Sequence, residues 1–216
     1  LPEVTNKTLI FVGEFSHLGV SVITITDPIR LVSNNAVLND MAISIAGNNV
    51  VVDGFTFVST LENVIEVYGN NVSIINNKFN SGLVQNKYNV LIYATEVADL
   101  TIKNNTITFK GTNTGSINGV INLKDVNNTL ISDNKIDAEI PSAATSYGPG
   151  PDYAAIYSSY LIQVKGNNNK ILNNDLSLRY SSVLGSYDSL YAIIVSGSNS
   201  VVSKNSIKGT GNNYIY

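Results

Sequence analysis

The chain of 216 residues has no cysteine, no tryptophan, one methionine and a single histidine, His17. Without cysteine there is no disulfide, no thiolate metal site and no cysteine nucleophile. Charge is also scarce: Asp, Glu, Lys and Arg make up 13% of the chain, against roughly 25% in an ordinary soluble domain. The only arginines are Arg30 and Arg179, and the net charge is −3. Phosphate binding needs clustered Lys and Arg, so this balance argues against a nucleic-acid partner. No run of about 18 apolar residues occurs, so no membrane-spanning helix is written and no membrane contact is expected of these residues. Nor does any segment keep the i, i+3, i+4 spacing of an amphipathic helix long enough to supply crossovers.

Asparagine fills the polar quota, with 31 residues. Asn is disfavoured in helix interiors and ordinary strands but tolerates turns and left-handed backbone. A chain so rich in it needs many turns or a special place for Asn. Internal repetition supplies that place. Residues 43–57 read ISIAGNNVVVDGFTF and residues 65–79 read IEVYGNNVSIINNKF, so Gly47-Asn48-Asn49 falls on Gly69-Asn70-Asn71. The second half recurs as LTIKNNTI (100–107), TLISDNKI (129–136), KILNNDL (170–176) and VVSKNSI (201–207). Each unit alternates apolar and polar residues over short β-branched stretches, which is strand periodicity. Aligned on the second member of the Asn/Asp pair, the units give Asn77, Asn105, Asn134, Asn174 and Asn205, at intervals of 28, 29, 40 and 31 residues.

Strands in a sandwich need not resemble one another. Strands stacked in a coil must, because each side chain lies over its equivalent about 4.8 Å away. The repeat therefore predicts a single all-β domain over residues 1–216, a right-handed parallel β-helix of about eight rungs and roughly 40 Å in length. The five Asn form an inward ladder at a bend, each taking the left-handed conformation at little cost and hydrogen-bonding its equivalents above and below. Phe55 holds that register in the first unit, so the ladder ends there. Residues 1–40 fit as degenerate N-terminal rungs. Residues 108–118 form a modest loop, and 137–160 and 177–190 form long insertion loops; insertions on a solenoid concentrate on particular faces. Leu1-Pro2-Glu3 reads as the interior of a longer protein.

The pattern IxIxGNNVxIxNNxF resembles the β-helix repeats of periplasmic copper-binding and of carbohydrate-binding or sugar-hydrolase proteins. In its Asn-rich form, with GFTF at 54–57, it most resembles the adhesin-like surface proteins of methanogenic archaea, over roughly residues 20–207. That resemblance implies an extracellular, cell-surface location and a role in attachment. The same coil hosts lyases, hydrolases, epimerases and plain spacers, so fold alone does not choose among them.

Chemistry is hard to find. Sugar hydrolysis needs carboxylates facing one cleft, and calcium needs about 6–8 oxygen ligands; the carboxylates here are scattered one or two per rung. Glu62 and Glu66 are the nearest pair, and His17 stands outside the repeat. No catalytic residue, metal ligand or cofactor is assigned. The tyrosines are more informative. Of 12, nine follow residue 146, and seven lie in or beside the long insertions: Tyr147, Tyr153, Tyr157, Tyr160, Tyr180, Tyr187 and Tyr191. Tyr among Ser and Gly makes recognition surfaces, because it gives large contact area with little entropy to lose. These seven are the candidate ligand-binding residues, for a surface glycan or a cell-surface protein of another cell. The alternatives are that they pack their own loops on a passive spacer, or that a polysaccharide lyase, hydrolase or epimerase site lies unrecognised. Acceptor patterns for N-glycosylation occur at Asn6, Asn71, Asn104 and Asn127. Asn104, beside the ladder, is expected to be inaccessible.

Overall fold

A computed structural model describes residues 7–61, 63–81, 88–110, 117–140, 158–180 and 189–210. Its strands join one 19-stranded sheet in which every pairing is parallel and links each coil to the next. Two long strands open the solenoid, β1 (Thr8–Ile25) lying on β2 (Arg30–Ile45). From there each coil divides into three short strands. The third coil holds β3 (Val51–Asp53), β4 (Thr56–Ser59) and β5 (Ile65–Val67); the fourth holds β6 (Ser73–Ile75), β7 (Lys78–Ser81) and β8 (Tyr88–Thr95). The fifth has β9 (Thr101–Lys103), β10 (Thr106–Lys110) and β11 (Ile117–Lys124), and the sixth β12 (Leu130–Ser132), β13 (Lys135–Ile140) and β14 (Ser158–Lys165). The seventh has β15 (Lys170–Leu172), β16 (Asp175–Tyr180) and β17 (Ser189–Ser196); β18 (Val201–Ser203) and β19 (Ser206–Thr210) begin an eighth. This is a parallel β-helix, and its first two coils are built from the long strands β1 and β2.

Stacking explains the repetition. On the third face Ile23, Ile43, Ile65, Ile92, Ile121, Ile162 and Ile193 follow one another rung by rung. On the first, Leu31, Val52, Ile74, Ile102, Ile131 and Ile171 do the same, each no more than 1% exposed. Burying such a side chain stabilises by about 1.5–3 kcal/mol. A β-branched residue repeated in register packs on its own copy and suits the extended backbone. In the second face the same position carries Phe57 over Phe79, with rings stacked at 4.8 Å.

The Asn ladder runs unbroken. The Oδ1 atoms of Asn105, Asn134, Asn174 and Asn205 each accept the backbone N–H and the Nδ2–H of the ladder Asn one coil earlier, at 2.9–3.2 Å. Each Nδ2 also donates to a main-chain carbonyl of the preceding coil, from Asn77 to Val52 through Asn205 to Ile171. Asn77 Oδ1 accepts the Phe55 N–H at 2.9 Å, and there the ladder stops. One coil earlier, the Ala36 N–H turns instead to the Ser33 hydroxyl at 2.7 Å.

One detail differs from the sequence reading. The left-handed residue is not the ladder Asn but its predecessor: Asn76, Asn104, Asp133, Asn173 and Lys204 all have φ of 55–58°. A left-handed residue turns the chain so that the next side chain points inward, and its own points out. Asn104 is therefore exposed rather than inaccessible, donating through Nδ2 to Asn76 Oδ1 at 2.7 Å. Asn71 and Asn127 are exposed too, and Asn6 lies outside the described residues.

Candidate functional site

The three corners of the coil behave differently. From the third coil on, two residues turn the chain between the first and second faces, as at Asn76-Asn77. Between the third and first faces the turn is four or five residues long, as at 166–169 and 68–72. All the large variation falls at the remaining corner, between the second and third faces. There residues 60–64, 82–87, 111–116, 141–157 and 181–188 connect successive strands. The uneven repeat interval thus arises at one edge. The insertions are shorter than expected: strand pairing continues through Ile140 and Tyr180, and resumes at Ser158 and Ser189. The segment 82–87 is a further connection of this set that carries no Tyr and drew no notice in the sequence.

This edge borders the outer surface of the third face, the most distinctive exterior of the solenoid. The second face is plain by comparison, exposing Lys78, Thr106, Lys135 and Asp175 in a solvated column. On the third face the outward column reads Ser44, Glu66, Tyr93, Asn122, Gln163 and Ile194. Glu66 is fixed from two sides, its Oε1 accepting from Asn63 Nδ2 at 2.8 Å and its Oε2 from the Tyr68 hydroxyl at 3.2 Å. Partial burial, followed by the Glu66 charge and hydrogen bond, raises the Tyr68 pKa above its ordinary value. Lys124 Nζ lies 5.5 Å from the centre of the Tyr93 ring, within cation–π range. Asn122 is 8% exposed and its Oδ1, sheltered from solvent, has no hydrogen-bond partner among the described residues. An acceptor left so costs about 1–3 kcal/mol.

Of the seven predicted tyrosines, Tyr160, Tyr180 and Tyr191 lie among the described residues. Tyr147, Tyr153, Tyr157 and Tyr187 lie outside the described residues. Tyr180 ends β16 and Tyr191 lies in β17, so both belong to strands rather than loops. Tyr160, expected in a binding loop, is not in one. It is a strand residue of β14, 3% exposed, and a Cβ on Gly119 in the coil below would stand 2.4 Å from its ring. Gly119 leaves the space that the ring fills. Burial, with a smaller effect from Tyr93, raises the Tyr160 hydroxyl pKa far above the usual phenol range. Tyr160 is a packing residue and presents no face to a ligand. Conversely, Tyr93 lies on the third face and Tyr68 (47% exposed) in the turn that leaves it, and neither is among the seven because neither sits near a long insertion. Only the register, which sets Tyr93 between Glu66 and Asn122, could have found them.

The carboxylates are dispersed. Asp53 pairs with Arg30, Asp133 with Lys103, Asp125 with Lys165 and Asp137 with Arg179. Among the described residues no three His, Asp or Glu side chains converge as a metal site would require. Glu62 lies outside those residues, and Glu66 is bound as above; His17 belongs to β1. No protein-family model matches the chain, and no curated protein matches it.

Proposed function

We propose that this solenoid is a non-enzymatic module of a cell-surface, adhesin-like protein, and that it binds a glycan on the outer surface of the third face with the insertions beside it. One observation carries the reading: every variable connection leaves the coil at a single corner, next to an exterior column that combines tyrosine, amide and restrained carboxylate. Flat rings stack on sugar faces, while amides and carboxylates take up hydroxyls in defined directions. The extracellular placement rests on the repeat resemblance. The dispersal of the carboxylates into ion pairs with Arg and Lys favours binding over hydrolysis.

The test is a broad glycan array probed with the wild-type chain, with Tyr93→Ala, and with a triple variant carrying Tyr147→Ala, Tyr153→Ala and Tyr157→Ala. The expected result is specific binding by the wild type that Tyr93→Ala loses and the triple variant weakens. Binding unchanged in all three proteins overturns the placement of the site. A blank array for the wild type moves the reading to a passive spacer, a role that the buried packing of Tyr160 already suits.

A further inference from the structure

We infer that the two ends of the solenoid bind each other: the last coil of one copy stacks head to tail on the first coil of a second copy. Large apolar side chains are exposed at both ends, Leu9, Ile10, Val12 and Val22 in β1, and Val201, Val202 and Ile207 in β18 and β19. Elsewhere among the described residues only Val58 and Tyr68 are so exposed. The exposed sets include the inward columns themselves. Leu9 and Val202 are each 49% exposed, whereas the members between them, Leu31 through Ile171, are at most 1% exposed. The strand edges are open as well: among the described strands β1 pairs only with β2, β18 with β15 and β19 with β16. Natural sheets blunt such edges with proline or an inward charge. None of these three strands contains proline, and their inward columns end in Leu9, Phe15, Val202 and Ile207.

The occupant is a second copy because the two ends match in direction, register and charge. A copy set in the same orientation offers β1 to β18 and β19 as the next parallel strand, whereas two like ends would meet antiparallel. Carried across the joint, the register puts Val202 on Leu9 and Ile207 on Phe15. Both columns then continue with side chains of the kind they hold throughout. The joint belongs to the first and second faces, since β17 on the third stands one coil lower.

On the outer side of the second face, Glu14 takes the position one strand beyond Ser206, between Lys204 and Lys208. Opposite charges two positions apart on adjoining coils already pair in this molecule, Arg179 lying 3.1 Å from Asp137. The eighth coil has no carboxylate among its described residues, so two last coils set together would oppose lysine to lysine. A head-to-tail joint does not close on itself and gives open-ended stacks. Eight coils per copy set their axial repeat at about 40 Å.

The experiment is sedimentation velocity on the whole chain over a range of concentrations, with Val202→Lys, Leu9→Lys and an equimolar mixture of the two. The wild type is expected to form a series of species whose mass grows with concentration. Each variant has one blocked end and is expected to stay monomeric alone, while the mixture forms dimers and nothing larger. That dimer also shows that both variants fold. Dimers of either variant by itself would mean that like ends meet, and would overturn the assignment, as would a mixture of folded variants that stays monomeric. Glu14→Lys tests the same joint without touching the core. It is expected to weaken association about tenfold, and adding Lys204→Glu and Lys208→Glu to the same chain should restore it. No effect of Glu14→Lys, or a wild type monomeric at every concentration, overturns the inference; the second result would leave the ends to a different polypeptide segment.

Discussion

Two corners of this coil share one backbone and differ in what they bury. At each, a left-handed residue precedes an inward one: Asn76, Asn104, Asp133 and Asn173 at the first corner, Asn49, Asn71, Asp99, Asn128, Asn168 and Asn199 at the second. At the first corner the inward residues are Asn77, Asn105, Asn134, Asn174 and Asn205, and every amide group between them is hydrogen-bonded. At the second they are Val50, Val72, Leu100, Thr129, Asn169 and Ser200. Its early half is apolar. Its later half repeats the ladder in part, with the Thr129 N–H donating to Asn169 Oδ1 at 3.0 Å and the Asn169 N–H to the Ser200 hydroxyl at 3.3 Å. Asn169 Nδ2 reaches the Val126 carbonyl, as the first-corner amides reach theirs. Thr in place of Asn leaves a defect, since Thr129 Oγ1 is buried without a partner among the described residues. A left-handed turn therefore does not by itself demand an inward Asn. What the Asn supplies is an acceptor for the main-chain N–H one coil before it, as for Phe55 and Thr129, and the further amide–amide bond forms only where consecutive coils both carry an Asn.

The largest effect should come from interrupting the complete ladder. Asn105→Leu keeps the branched outline of the side chain, with somewhat more volume, but strips the acceptor from the Asn77 N–H and Nδ2, and the donor from the Ile74 carbonyl. A loss of about 3–5 kcal/mol is expected in urea unfolding; a loss under about 1 kcal/mol would show that the two corners are energetically alike. Repairing the incomplete column is the converse. Thr129→Asn places an acceptor over the Leu100 N–H and a donor beside Asn169 Oδ1, and should raise the unfolding midpoint by the equivalent of about 1–2 kcal/mol with an unchanged m-value. Were it destabilising, the second corner would be too narrow for an amide and the difference between corners would be steric. Truncation at the ladder's end tests position. Asn205 is only partly buried and serves one neighbour, so Asn205→Ala should cost about 1 kcal/mol, and a cost equal to that of Asn105→Leu would mean that the terminal coil is as rigid as the middle. The smallest change concerns the turn alone. Lys204 occupies a left-handed position where its equivalents are Asn, Asp or Gly, and Lys204→Asn should add about 0.5 kcal/mol by relieving the backbone; no gain would indicate that fraying already relaxes this end.

How much of this was legible beforehand depends on the range of the interactions involved. The ladder and its end at Phe55 could be read because a stacked column shows itself as a recurring residue at a recurring flank. The second polar column could not, since Thr129, Asn169 and Ser200 share no residue type and follow three apolar members. The left-handed site was misassigned by one residue because Asn occupies both members of the pair in most units, and identity alone does not say which one turns the chain. Tyr160 was misread for a different reason. Its burial depends on Gly119, a residue 41 positions earlier in the chain but directly beneath it in the sheet.

The sequence by itself determined that the chain coils, since only in-register stacking makes residues of one kind profitable at every turn. It also determined that the core is built from columns of Ile, Val and Leu beside one Asn ladder. The tertiary structure alone decided that every variable connection leaves by the same corner, that Glu66, Tyr93, Asn122 and Gln163 align on one outer face, and that Tyr160 packs while Tyr93 faces out. The physical reason is the geometry of a solenoid. Neighbours along its axis are one whole coil apart in sequence, and coils of unequal length hide those neighbours until the strands are paired.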